Sequence, residues 1–94
     1  MIKTKIFCQD KYEAQKLASL IFVKEGKETF ITQILDVFDN EVVISIKDKS
    51  AHSIVLKDKN QVETFTDFLQ SIVDKKHRIL DTMTNEDIVE IIKE

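Results

Sequence analysis

The chain has 94 residues, of which 43% are hydrophobic and 33% are charged, and its formal net charge is −3 at pH 7. This length and composition are typical of one globular domain, expected here over residues 1–94. The acidic balance does not favour a nucleic-acid partner, and a single glycine, Gly26, with no proline excludes glycine-rich phosphate loops and nucleophile elbows.

The N-terminal part of the chain predicts a strand and then a helix. Residues 2–7 alternate between lysines and less polar side chains, a pattern typical of an edge strand. Asp10, with Glu13 three residues later, indicates a helix start, and Gly26 is expected to end the helix. The apolar face of this helix comprises Ala14, Leu17, Ala18, Ile21 and Phe22.

Residues 29–57 predict a three-stranded antiparallel meander. Asp39-Asn40 is the first turn, because both residues tolerate the conformation that a tight hairpin needs, and the second turn lies within residues 47–53. The first turn places Leu35 opposite Ile44. The register that unites the apolar residues then pairs Ile44 with Leu56 and Ile46 with Ile54. The predicted core face comprises Ile31, Leu35, Val37, Val42, Ile44, Ile46, Ile54 and Leu56.

The C-terminal third predicts two helices. Asn60 caps the first, which continues to about residue 76, and Thr84 caps the second over residues 85–93, with residues 77–83 as the connection. The apolar stripe of the first helix comprises Val62, Phe65, Phe68, Leu69, Ile72 and Val73. The sequence thus predicts an α+β domain of order β-α-β-β-β-α-α, mainly antiparallel sheet with helices packed on one face. The similar segments 46–50 and 56–60 are interpreted as two polar strand exits rather than as a repeat.

The sequence carries no motif for catalysis, for a cofactor or for a metal. Cys8 is the only cysteine, and His52 and His77 are not at metal-ligand spacing. Cys8 precedes a helix start, where a thiolate is stabilised, but it also fits as a small apolar residue closing a strand. We therefore expect no enzymatic activity, no catalytic residue, no cofactor and no metal, with a small enzyme using Cys8 as an alternative.

The predicted helices and meander also admit a nucleic-acid alternative. Without the first strand and last helix, the order α-β-β-β-α resembles that of the double-stranded-RNA-binding domain, and this resemblance implies binding of duplex RNA. That family clamps phosphates with lysines at the start of its second helix. Here the corresponding residues 60–67 contain no basic side chain, and the basic cluster at residues 75–78 lies at the other end of that helix. Nucleic acid is therefore only the alternative partner.

Two apolar surfaces predict binding of another protein. The second sheet face is expected to carry Phe30, Ile34, Phe38, Val43 and Val55, and the last helix to carry Ile88, Ile91 and Ile92. Such a patch is unusual on a monomer, so we expect the last helix, a second copy or another protein to cover part of it. The predicted function is a small protein-binding module that acts as a regulator, an inhibitor or an adaptor, with a homodimer as one form.

The expected compartment is the cytoplasm. A single cysteine suits a reducing environment, and the N-terminal residues lack the continuous apolar region of a signal peptide. The longest aliphatic run near them, residues 20–23, is too short to span a membrane, so no membrane partner is expected. One arginine against thirteen lysines is typical of AT-rich genomes, including those of bacteria and their phages.

Overall fold

A computed structural model describes residues 2–21, 29–74 and 79–94 of the chain. The elements are β1 (Ile2–Phe7), α1 (Lys11–Ile21), β2 (Ile31–Phe38), β3 (Glu41–Ile46), β4 (Ala51–Val55), α2 (Asn60–Val73), β5 (Ile79–Asn85) and β6 (Ile88–Lys93). The strands of these segments form two three-stranded antiparallel sheets, with orders β1-β6-β5 and β2-β3-β4. The predicted α+β class is confirmed, and the predicted element order is wrong at its C-terminal end.

Each helix begins with an aspartate that accepts a backbone hydrogen bond. The Asp10 carboxylate accepts the N–H of Glu13 at 2.9 Å, which confirms the predicted cap of α1. The Asp58 carboxylate accepts the N–H of Asn60 at 3.0 Å. The side-chain acceptor at the start of α2 is therefore Asp58 rather than the predicted cap, Asn60. Helix α2 ends at Val73, earlier than predicted. The predicted end of α1 at Gly26 lies outside the described residues.

Strands β3 and β4 keep their predicted faces although part of the register of the meander differs. Val37 pairs with Val42 across the predicted Asp39-Asn40 turn, where Asp39 has φ +32°. On the other side of β3, Val42 pairs with Ile54, and the predicted pairing of Ile46 with Ile54 is wrong. The β3–β4 register differs from the predicted register by an even number of residues. Because side chains alternate between the two faces with a period of two, this shift leaves them on their predicted faces. Val42 and Ile54 therefore remain buried, as expected.

A β-bulge in β2 reverses two of the predicted side-chain positions. The register shifts between Ile34 and Asp36, so that Ile34 rather than Leu35 lies opposite Ile44. The extra residue breaks the alternation along the strand. Leu35 is consequently exposed, against the prediction that it belongs to the core. Val37 shares the face of its partner Val42 but is also exposed, against the same prediction, because it lies near the end of the strand. Ile34, predicted on the outer face, instead packs against the core.

The predicted last helix is a β-hairpin. Residues 88–92 suit a helix by spacing, but Val89 and Ile91 are both buried, which is the two-residue period of a strand. The pairing of β6 with both β1 and β5 selects the strand periodicity over the helical one. The β-branched residues of this segment also favour a strand. Thr84 is therefore a strand residue rather than a cap, and Glu86, with φ +53°, lies in the turn.

The described residues form two βαββ halves that exchange a strand. β1 joins the hairpin of the second half, and β4 joins the hairpin of the first half. The two halves meet at a bridge between Cys8 and Leu56. On its two sides the Gln9 N–H donates to the Val55 carbonyl at 3.0 Å and the Lys57 N–H donates to the Phe7 carbonyl at 2.9 Å. The arrangement is an internal pseudo-two-fold that the sequence analysis did not predict.

Two side chains repeat this symmetry beside the bridge. Oε1 of Glu13, on α1, accepts the N–H of Val55 at 3.0 Å. Oε1 of Gln61, on α2, accepts the N–H of Phe7 at 3.2 Å. Each helix thus holds the end of the first strand of the opposite half. The similar segments 46–50 and 56–60 follow β3 and β4 and do not occupy equivalent positions in the two halves.

One hydrophobic core lies between the helices and both sheets. Phe65, Phe68, Leu69 and Ile72 of α2 are buried in it, as predicted, and Ile46 is partly buried. The buried set comprises Ile6, Cys8, Ala14, Leu17, Ile21, Ile31, Val42, Ile44, Ile54, Leu56, Phe65, Phe68, Leu69, Ile72, Ile79, Val89 and Ile91. Both halves contribute to it, so the described segments share a single core.

Candidate functional site

Exposed apolar side chains concentrate on β2 and directly before it. The exposed fractions are 36% for Phe30, 47% for Leu35, 42% for Val37 and 54% for Phe38. These four residues are called the β2 patch below. Elsewhere in the described segments the exposed large apolar residues are Ile2, Tyr12 and Met83, each on a different element. Since β2 is an edge strand, none of the described strands lies along its outer side.

The bulge and the hairpin turn together create the exposed end of β2. Leu35 is the extra residue of the bulge, while Val37 and Phe38 point to opposite faces just before the turn. At about 3.3 Å per residue, the stretch from Leu35 to Phe38 is about 10 Å long. The β2 patch thus offers a short apolar ridge that wraps around the sheet edge.

The edge itself is protected against pairing with another strand. The Asp36 carboxylate accepts the N–H of Val37 at 2.8 Å, and Leu35 bulges beside it. On the other edge strand, β5, the Asp81 carboxylate accepts the N–H of Thr82 at 2.9 Å. Bulges and charged edge residues are features that discourage strand addition. The β2 patch therefore offers side chains rather than a regular row of free backbone groups.

The surface around the β2 patch is acidic. Residues 29–46 contain three acidic residues, Asp36, Asp39 and Glu41, and no lysine, arginine or histidine. Glu41 lies opposite Phe38 in the β2–β3 register. The ion pairs found among the described residues involve none of the three. Within this hairpin, the apolar side chains of the patch are therefore bordered by carboxylates and by no basic side chain.

The equivalent surface of the other half is polar. Thr84 and Asn85 occupy on β5 the positions that Val37 and Phe38 occupy on β2, directly before the hairpin turn. Glu90 on the neighbouring β6 lies 3.6 Å from the ammonium group of Lys5 and 3.9 Å from that of Lys3. The second hairpin also carries acidic residues and exposes Met83, so the difference between the two hairpin ends is the pair of apolar residues, Val37 and Phe38, on the first.

The residues predicted on the second sheet face divide between two environments. Phe38 and Val55 lie on either side of Glu41, and Val43 follows on the same outer face. Val43 and Val55 are half-buried, and Ile34 packs against the core instead of lying on the second sheet face. Phe30 precedes β2, and its N–H donates to the Leu20 carbonyl at 3.2 Å. The exposed part of the surface is thus centred on β2.

The three predicted C-terminal interface residues lie on a strand. Ile91 is fully buried and offers no surface for a partner. Ile88 and Ile92 are half-buried on β6, opposite Phe7 and Lys3 of β1. The segment expected to form the last helix is strand β6, so it does not cover the second sheet face as a helix.

Cys8 is buried at the junction of the two halves. Burial is the main cause that raises the pKa of its thiol from 9.0 to about 12, and the nearby carboxylates of Glu13, Asp87 and Asp10 raise it further. A helix start lowers a thiol pKa only where the thiol is open to it and free of nearby acids. The thiolate form needed for nucleophilic attack is scarce at neutral pH.

We expect Cys8 to resist alkylation in the folded protein. With a pKa of about 12 instead of 9.0, the thiolate fraction at pH 8 falls by roughly a thousandfold, and the reaction with iodoacetamide slows at least as much. The measurement compares the rate in native buffer with the rate in denaturant. Fast native alkylation that also abolishes partner binding would contradict the structural role of this residue.

Asp48, Ser50 and His52 approach one another in the turn before β4. The Ser50 hydroxyl donates to Asp48 at 2.5 Å and lies 2.9 Å from Nε2 of His52. Hydrogen bonds from the Ser50 hydroxyl and N–H hold the pKa of Asp48 below its ordinary value, and His52 contributes in the same direction. In a hydrolase triad the histidine accepts the serine proton. Here Asp48 hydrogen-bonds to Ser50 instead of orienting the histidine, so the cluster does not have the arrangement of a triad.

The remaining chemistry of the described segments is sparse. No three His, Cys, Asp or Glu side chains converge there in the manner of metal ligands. His77 and the basic cluster at residues 75–78 lie outside the described residues. Neither described helix has the length and apolarity to cross a membrane.

The comparison with known proteins assigns no family. No protein-family model, curated protein or solved structure matches the chain. The order α1-β2-β3-β4-α2 that resembles the double-stranded-RNA-binding domain is present, but β1, β5 and β6 add a second sheet to it. The function is therefore argued from this chain's own surface.

Proposed function

We propose that this protein is a small protein-binding module that regulates, inhibits or tethers its partner through the β2 patch. The observation that carries the proposal is the concentration of exposed apolar side chains along one edge strand, with Leu35, Val37 and Phe38 at its C-terminal end. Exposed large apolar residues scattered singly need no explanation, whereas a group of them on one element favours an interaction site. Aromatic anchors such as Phe38 are the side chains that contribute most to such interfaces.

The internal pseudo-two-fold supports the same proposal. The two hairpins share one backbone plan, so stability alone gives no reason for one of them to expose Val37 and Phe38 where the other exposes Thr84 and Asn85. Protein binding is a physical reason for retaining an exposed phenylalanine, because burying it on association gains roughly 25 cal/mol per Å² of apolar surface. Part of this gain offsets the entropic cost of association, and the remainder contributes to the affinity for the partner.

Replacing Phe38 by lysine is expected to abolish capture of the partner. A charged ammonium would enter the apolar centre of the contact, and its desolvation opposes binding. The measurement is quantitative affinity capture from the native host cell with wild-type, Phe38→Lys and Asn85→Lys baits. Asn85→Lys is the matched control because it adds the same charge at the equivalent position of the other hairpin.

The expected result is a partner retained by the wild-type and Asn85→Lys baits and lost with Phe38→Lys. Circular dichroism and the melting temperature of each bait show that the fold persists, since Phe38 is exposed. Binding is then repeated with the purified partner. Equal capture by all three baits would contradict a role for the β2 patch.

A further inference from the structure

We infer that the partner of the β2 patch is a basic amphipathic helix, in which large apolar side chains are flanked by lysine or arginine. This inference rests on the proposed function and specifies the chemistry of its partner. It combines three features of the same hairpin: the apolar ridge, the acidic border and the protected strand edge. Each of them restricts the occupant in a different way.

The acidic border determines the charge of the occupant. Glu41 is the cross-strand neighbour of Phe38, and Asp39 follows Phe38 in the turn. Side chains directly opposite each other across a strand pair have Cβ atoms about 4.5–5.5 Å apart. A partner that buries the Phe38 ring therefore brings its own flanking groups close to these carboxylates. Basic flanking groups stabilise that contact and anionic ones oppose it.

The same charges argue against a second copy of this chain as the occupant. A two-fold contact between copies would bring the surface onto itself. Asp36, Asp39 and Glu41 would then face the same acids of the other copy, without a basic residue in residues 29–46 to offset them. The apolar area is also small, because four partly exposed side chains offer a few hundred Å², against about 800 Å² per partner in a typical stable complex. The same carboxylates would also repel nucleic acid and anionic lipid.

The protected edge determines the conformation of the occupant. A strand added to β2 would need regularly spaced free backbone groups, but the Val37 N–H is already bound by Asp36 and Leu35 bulges beside it. A helix docks through side chains alone. The ridge from Leu35 to Phe38, about 10 Å long at 3.3 Å per residue, matches the rise of about two helical turns. A helix with apolar residues at i, i+4 and i+7 therefore matches the length of the ridge and can pack on its outer side, where Phe38 lies.

The test uses two synthetic amphipathic helices as probes. One is an 18-residue peptide of leucine and lysine, and the other has every lysine replaced by glutamate. Each is titrated into the full-length, isotope-labelled protein, and the amide shifts and dissociation constants are measured at low and at high salt. We expect the leucine–lysine peptide to shift the signals of residues 35–41 and the leucine–glutamate peptide to leave them unchanged. High salt is expected to weaken the first complex.

Two triple variants separate local charge from net charge. Asp36→Asn, Asp39→Asn and Glu41→Gln together neutralise the border while an amide oxygen can still accept the Val37 N–H. Glu63→Gln, Asp67→Asn and Asp74→Asn together remove the same charge from the exposed side of α2. The first variant should lower the affinity for the leucine–lysine peptide by roughly tenfold, and the second should leave it within about twofold of wild type.

Three outcomes would overturn the inference. They are equal binding of both peptides, equal loss in both triple variants, and peptide-induced shifts that lie outside residues 35–41. Equal binding of both peptides that still requires Phe38 would refute the basic partner and leave the protein-binding function standing. The function itself is decided by the capture of a native partner with the Phe38→Lys and Asn85→Lys baits, which does not use these probes.

Discussion

Truncating Phe68 to alanine should lower the free energy of unfolding by about 3–5 kcal/mol, the usual cost for a buried aromatic side chain. Phe68 lies in the core on α2, and the Lys93 ammonium is 5.7 Å from the centre of its ring. The truncation removes apolar contacts and leaves a cavity between α2 and the sheets. Urea unfolding followed by circular dichroism measures the loss.

Phe38→Ala is the matched control for this prediction. It deletes the same atoms from an exposed position, and surface substitutions usually change stability by no more than about 0.5 kcal/mol. A loss below about 1 kcal/mol at Phe68, or similar losses at both positions, would mean that the buried face of α2 is misassigned.

Truncating Glu13 to alanine should lower the free energy of unfolding by about 1–3 kcal/mol, because a partly buried N–H loses its acceptor. Oε1 of Glu13 accepts the Val55 N–H, and Oε2 lies 2.8 Å from the Lys16 ammonium. Glu13 is the buried charged residue of the described core, at 6% exposure, so water does not readily replace the lost acceptor. Thermal and urea unfolding measure the effect.

The pseudo-two-fold provides the comparison variants for Glu13. Gln61→Ala removes the equivalent acceptor of the Phe7 N–H and should be destabilising in the same direction, but less so because Gln61 is less buried. Glu13→Gln installs the residue of the equivalent position and should restore most of the lost stability. If Glu13→Gln destabilises as much as Glu13→Ala, the acceptor role is refuted and the ion pair with Lys16 is the important contact.

The local periodicity of the sequence was sufficient to predict most elements. The α1 cap at Asp10 and the Asp39-Asn40 turn depend on residues within a few positions of each other, and both are confirmed. The face of the meander was also predictable, because an even slip in register preserves which side chains are buried. These features depend on local chemistry that the sequence displays directly.

The two errors with the largest consequences arise where tertiary contacts override local pattern. Residues 88–92 satisfy both a helical and an alternating pattern, and the pairing of β6 with β1, at the other end of the chain, selects the strand. The bulge at Leu35 has no marker such as glycine, so the sequence did not predict the exposure of Leu35. The strand exchange between the halves is likewise a long-range property.

The candidate surface was partly predictable. Phe38 and Val43 were assigned to the outer sheet face, where the structure places them, but Ile34 and Ile91 were assigned to surfaces that they do not occupy. A usable signal was present in the composition. Residues 29–46 contain three acids and no base within an otherwise apolar stretch, in a chain that has 14 lysine and arginine residues. Residues 79–92 show the same imbalance, so this signal becomes specific only when the register places Phe38 beside Glu41.

Hydrogen–deuterium exchange on the complex with the captured partner is the most direct test of the β2 patch as the binding surface. Partner binding should slow exchange of the amides in residues 35–41 and leave residues 82–88, the equivalent hairpin end, unchanged. The same experiment with Phe38→Lys should show no protection at the partner concentration that saturates the wild type. Protection confined to residues 82–88 or to the helices, with none in residues 35–41, would contradict the proposal.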